Sequence, residues 1–92
     1  MLKLHKTSRF KKDLKRVLKR KLPVQLLDEV ILTLREQKPL DPKYCDHSLI
    51  GNLAGFRECH ILPDWLLIYK VNKSQLILTA SRTGTHSDLI EK

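Results

Sequence analysis

Three of the chain's four histidines, His47, His60 and His86, lie in two short segments. One is Asp46 to Trp65, DHSLIGNLAGFRECHILPDW; the other is Arg82 to His86, RTGTH. The same segments carry Asp46, Glu58, Asp64, Arg57 and Arg82. Titratable acids and bases beside fixed positive charge are what cleavage of a phosphodiester needs. A base removes the proton of the attacking hydroxyl, an acid protonates the leaving oxygen, and cations stabilise the charged phosphorane between them. Histidine suits both proton roles because its unperturbed pKa of roughly 6.5 lies near working pH. In RNA the nucleophile is the substrate's own 2′-hydroxyl, so no serine or cysteine nucleophile is needed. Arg82 and Arg57 are candidates for the phosphate clamp.

Metal chemistry has little to start from. There is no HExxH, no paired carboxylate motif and no CxxC. Cys45, His47, Cys59 and His60 include zinc-ligand types, but at irregular spacing. The two cysteines read as free thiols in a reducing compartment. No cofactor and no metal are expected.

The positioning elements follow from pattern. The 92 residues predict one domain, 1–92, with a small core. Hydrophobic residues make up 41% and charged residues 30%, which excludes a disordered chain. No apolar run approaches the ~20 residues of a membrane span. The opening MLKLHKTSRFKK has no continuous apolar region of the secretory kind, so the expected location is the cytoplasm. The net charge of +8 points to polyanionic partners.

Met1 to His5 alternates as a short strand, with His5 an exposed strand residue. Thr7 or Ser8 can cap a helix whose apolar face is Phe10, Leu14, Val17 and Leu18. Its other face carries Lys11, Lys12, Lys15, Arg16, Lys19, Arg20 and Lys21, relieved only by Asp13. Like charges at this spacing weaken a helix, so the run reads as a polyanion contact rather than a structural device. Pro23 suits the first turn of a second helix, with Leu26, Leu27, Val30, Ile31 and Leu34 as its stripe. Pro39 and Pro42 end the helical region.

After Pro42 the period changes to two. Phe56 to Ile61 reads as a strand, Leu62-Pro63-Asp64 as a turn, and Trp65 to Val71 as a central strand. Asn72 to Ser74 turns the chain into a further strand, Leu76 to Ser81, and His86 to Ile90 forms one helical turn or a terminal strand. The class is α+β: an N-terminal strand and a two-helix hairpin packed on an antiparallel sheet of three or four strands. Strand alternation puts Phe56, Glu58 and His60 on one face and Arg57, Cys59 and Ile61 on the other. The Pro63 turn is expected to bring Asp64 back beside His60, while His47 and His86 reach the same rim.

The segments DHSLIGNLAGFRECHILPDWLLIYKV and SRTGTHSDLI, in this order, resemble the YafQ-type messenger-RNA interferases. These are toxins of type II toxin–antitoxin pairs within the RelE/ParE superfamily. The resemblance runs nearly the full length. It implies a curved antiparallel sheet backed by two helices, and metal-independent cleavage of messenger RNA on the ribosome. It further implies a catalytic cluster of His47, His60, Asp64 and His86, with Arg82 near the scissile phosphate. On this reading His86 is the general acid and His47 the general base, and His60, paired with Asp64, orients the substrate or exchanges roles with His47. The family often has phenylalanine where this chain has Ile90, which weakens a base-stacking role there. Lys11, Lys15, Arg16 and Lys19 gain ribosomal RNA phosphates as a target. The implied partners are messenger RNA, the ribosome and a cognate antitoxin, with no membrane. The alternatives are a non-catalytic topoisomerase inhibitor of the ParE kind and a plain basic RNA-binding module.

Overall fold

The computed structural model describes residues 1–89. The elements, in chain order, are β1 (Lys3–Lys6), α1 (Ser8–Lys19), α2 (Val24–Arg35), β2 (His47–Ser48), β3 (Arg57–Leu62), β4 (Trp65–Asn72), β5 (Ile77–Gly84) and α3 (His86–Leu89). The strands form one sheet in the order β1-β5-β4-β3-β2. β1 runs parallel to β5, and the other pairings are antiparallel. The sheet therefore has five strands and is mixed, where three or four antiparallel strands were expected. β2 was missed because two residues are too short to show a period. β5 continues three residues past the expected end, and α3 takes the helical option. Ile90 lies outside the described residues.

Local signals explain the helices. The Thr7 hydroxyl accepts the Phe10 amide at 3.0 Å, the N-cap bond. α1 ends where Lys21 turns left-handed at φ 58°. Lys21 N–H then bonds Leu18 O and Leu22 N–H bonds Val17 O, a Schellman closure with lysine in glycine's usual place. α1 lies against β5 and α2 against β3.

The core sits between helices and sheet. Phe10, Val17, Leu27, Val30, Ile31 and Leu34 meet Cys59, Ile61, Trp65, Leu67, Tyr69, Leu78 and Ala80. Leu18, expected on the apolar face, is 53% exposed. Asp13, expected among the lysines, is instead buried. The reason lies at the sheet edge. β1 stops opposite Ala80 while β5 runs on, leaving the Thr83 N–H without a strand partner. Asp13 Oδ2 accepts that N–H at 3.1 Å. Its two oxygens also accept Arg82 Nε at 2.7 Å and Nη2 at 3.1 Å, so the buried carboxylate is paired and hydrogen-bonded. The Thr83 hydroxyl accepts Trp65 Nε1–H at 2.8 Å and donates to Leu66 O, tying the edge to the core.

Candidate active site

Because Cys59 and its cross-strand partner Leu67 point into the core, Glu58, His60 and Leu66 face away from the helices. Register then aligns His47, Glu58, Ile68 and Arg82 in one row across four strands. The next row holds His60, Leu66 and Gly84, with His86 just beyond it. This is how β2, β3 and β5 gather imidazoles that are distant in sequence.

Glu58 stands between two of them. Its Oε2 is 3.6 Å from His47 Nε2 and 3.8 Å from His60 Nε2. Each ring is fixed from its other side. His47 Nδ1 lies 2.8 Å from Cys45 O and His60 Nδ1 lies 3.2 Å from Pro63 O. A carbonyl only accepts, so both Nδ1 atoms carry the proton and both Nε2 atoms are turned to the carboxylate. The His60 and His86 rings meet edge to face at 6.0 Å between centroids. His86 Nδ1 is 3.6 Å from Asp64 Oδ1.

Two sequence expectations change. Asp64 stands beside His86 and not His60, because the sheet register shifts between His60 and Leu62 and Leu62 pairs directly with Trp65. That leaves Pro63 and Asp64 as the turn, whose carbonyl takes the His60 nitrogen. Arg57 lies on the helix side of β3 and is consumed there. Asp46 accepts its Nε at 3.3 Å to each oxygen and its Nη2 at 3.0 Å, and Ser48 Oγ accepts Nη1 at 2.8 Å. The Tyr69 hydroxyl donates to the same Asp46. Arg57 is therefore no phosphate clamp for the imidazole cluster. Arg82 is in the cluster's row, but its guanidinium is bound by Asp13.

The four-residue zinc set is not assembled. Cys59 is fully buried on the opposite face from His60, and burial pushes its thiol up to about 12, while Cys45 is exposed. Among the described residues, no three His, Cys, Asp or Glu side chains converge on a metal-sized centre.

Lys11, Lys15, Arg16 and Lys19 are all exposed; Lys11, Lys15 and Lys19 share one stripe at i, i+4 and i+8, and Arg16 stands on its flank toward Asp13. At 100° per residue, Arg9, Lys12 and Arg16 fall on the side of α1 next to Asp13, and with Asp13 and Arg82 they line one recess of about 340 Å³. Lys11 and Lys15 turn away from it. Arg16 is also drawn to Asp88, at 3.3 Å.

The sequence reading assigns no role to two residues of the site. Glu58 shared a strand face with His60 by simple alternation, but the acidic role had been given to Asp64. Asp88 is the fourth residue of Thr85-His86-Ser87-Asp88, the S/T-x-x-D/E form of a capping box. Thr85 N–H donates to Asp88 Oδ2 at 3.0 Å and Asp88 N–H to Thr85 Oγ1 at 3.2 Å, which sets His86 at the first position of α3.

Comparison with known proteins gives a consistent result. Residues 2–91 match the family model for the bacterial toxin of type II toxin–antitoxin system, YafQ. The mRNA interferase toxin YafQ of Escherichia coli K12 is 37% identical over 84 residues, covering 90% of this chain and 89% of that protein. The crystal structure of a metal-bound toxin from Helicobacter pylori is similar at 44% identity and a TM-score of 0.91, covering 97% of this chain and 99% of that one. The crystal structure of the E. coli DinJ–YafQ complex is similar at 34% identity and a TM-score of 0.86, covering 97% and 98%.

Proposed function

The chain belongs to the YafQ family of bacterial type II toxins, and from that premise we propose that it cleaves ribosome-bound messenger RNA by imidazole acid–base catalysis. It is an endoribonuclease of the mRNA interferase class, as its relatives' names state. That class leaves no place for the topoisomerase-inhibitor or plain RNA-binding alternatives. Residues 1–92 act as a single toxin domain in the cytoplasm. A cognate antitoxin, related in role to DinJ in the E. coli complex, binds and restrains it.

One observation carries the mechanism: Glu58 faces the Nε2 atoms of two imidazoles whose Nδ1 atoms are already committed to carbonyls. His47 Nε2 takes the proton of the 2′-hydroxyl as that oxygen attacks phosphorus. The imidazolium that forms stands beside the Glu58 carboxylate, which stabilises its charge. His86, beside Asp64, gives its proton to the departing 5′-oxygen. His60 lies between the two, 6.0 Å from the His86 ring, and orients the phosphate or relays the proton. Arg82, oriented by its pair with Asp13 in the same row as Glu58, is assigned to offset the phosphorane's charge. The step ends in a 2′,3′-cyclic phosphate and a free 5′-hydroxyl, with no outside nucleophile. The proton balance closes on imidazoles alone, so no step is assigned to a metal. Lys11, Lys15, Arg16 and Lys19 hold ribosomal RNA phosphates, a contact that weakens steeply with salt.

The test is cleavage of a defined message in a reconstituted translation reaction, with each of His47, His60 and His86 replaced by alanine. Loss of at least about 100-fold at His86 and at His47 is expected. Wild-type cleavage by all three variants would end this reading.

A further inference from the structure

The ring of His86 is weakly held by its own contacts. It is half exposed, and the nearest carboxylate, Asp64, lies 3.6 Å away on a side chain that is 75% exposed. A general acid must nevertheless be placed to within a fraction of an ångström, since a misplacement of about 1 Å can cost about 100-fold in rate. Its position must therefore come from the backbone beneath it, and that backbone is tied down from the far side.

Asp88 makes the tie. One oxygen, Oδ2, accepts both the Thr85 N–H at 3.0 Å and Arg20 Nη1 at 2.7 Å. The other, Oδ1, accepts Arg20 Nη2 at 3.2 Å and stands 3.3 Å from Arg16 Nη1. Arg16 is in the last turn of α1 and Arg20 is its C-cap, one turn on, so the carboxylate is held by the end of the helix. Arg16 Nη1 is also 4.0 Å from Asp13, which in turn binds Arg82. The result is a ladder of alternating charge, Arg20–Asp88–Arg16–Asp13–Arg82. Its two carboxylates anchor the two ends of RTGTH: Asp13 fixes Arg82 and Asp88 fixes the turn under His86. The backbone is shaped to admit it. Gly84 has φ +152°, and a Cβ there would fall 2.8 Å from Asp88 Oδ2. Asp88 carries the electrostatic signature of this setting: the Arg20 guanidinium holds its carboxyl well below the usual carboxylate range.

We propose that Asp88, clamped by Arg16 and Arg20 at the C-terminal end of α1, is a positioning residue that sets the catalytic imidazole of His86. This rests on the proposed role of His86. It also gives part of the basic helix a second purpose. Arg16 and Arg20 order the active site, which leaves Arg9 and Lys12 as the cations of the recess beside Arg82 that form no ion pair among the described residues.

The test compares Asp88→Ala, Asp88→Asn and Asp88→Glu in the full chain, with His86→Ala as reference. Asp88→Ala should lower kcat about 100-fold and leave KM within about twofold, because the substrate contacts are untouched. Asp88→Asn, which keeps the Thr85 bond but loses the charge, should lose about tenfold. Asp88→Glu, the other acid that closes a capping box, should recover to within about fivefold of wild type. NMR supplies a readout that needs no cleavage: the cross-peak between the His60 and His86 rings should vanish in Asp88→Ala while the His47 resonances stay in place. An unchanged ring contact together with wild-type kcat in Asp88→Ala would overturn the proposal. Wild-type cleavage by His86→Ala would overturn the role of His86 instead, and the ring contact would still report on the latch.

Discussion

Alternate residues of β3 serve two clusters of opposite character. On the helix side, Arg57 closes on Asp46 and Ser48 at 2.8 to 3.3 Å, and Tyr69 donates to the same carboxylate. On the other side, Glu58 stands 3.6 and 3.8 Å from two imidazoles. Both clusters join an acid to basic groups, and both lie on the β2–β3 pair. They differ in completion. In the first, each polar group has its partner within bonding reach, so the cluster can only hold β2 and β3 together. In the second, the partners stand just beyond bonding distance, which leaves room for a substrate oxygen or a transferring proton. Residue type alone does not separate a completed charge cluster from an open one; the distances do.

The largest test of this contrast is a crossed pair of substitutions. Glu58→Gln should reduce message cleavage about 100-fold with an unfolding midpoint within about 2 °C of wild type. Asp46→Ala should do the reverse. Removing the acceptor of the buried Tyr69 hydroxyl costs about 1–2 kcal/mol in urea unfolding, while cleavage stays within about threefold. Equal loss of cleavage in both, measured where both are folded, would erase the distinction.

The Asp88 network should also register in stability as pH changes. The Arg20 hydrogen bond depresses the Asp88 carboxyl, so the folded chain binds fewer protons there than the unfolded chain. Its stabilisation is full above an ordinary carboxylate pKa of about 3.9 and is lost as pH falls below that value. Asp88→Asn should therefore melt about 4 °C below wild type near neutral pH, with the gap closing below about pH 4. A gap that persists unchanged at pH 3 would mean the charge contributes nothing. The smallest effect sharpens the two-sidedness of β3 itself. Cys59, between Glu58 and His60 in sequence, is buried with its thiol pushed up to about 12. Iodoacetamide should modify Cys45 alone in the native protein and both thiols only after unfolding. Modification of both in the native state would show that the helix side is open.

Much of this was legible in the sequence because it depends on local pattern. Alternation assigned Glu58 and His60 to one face and Arg57 to the other, and the 3.6-residue period found the buried Leu27, Val30, Ile31 and Leu34. The pairing of Asp64 was misread because it turns on a register shift after His60, which alternation cannot reveal. Arg57 was misread as a clamp although its own strand parity argued against it. The burial of Asp13 had no sequence signal at all. It follows from where β1 stops along β5, a fact of tertiary assembly.

The parallel seam between the first strand and the last has a consequence for synthesis. Thr7 and Ser81, joined across it, are 74 positions apart. A ribosome making this chain holds neither the seam nor the third imidazole until residues 77–86 have left the exit tunnel. The nascent chain thus has neither a closed sheet nor a complete imidazole cluster until that stretch emerges and the first strand finds its partner.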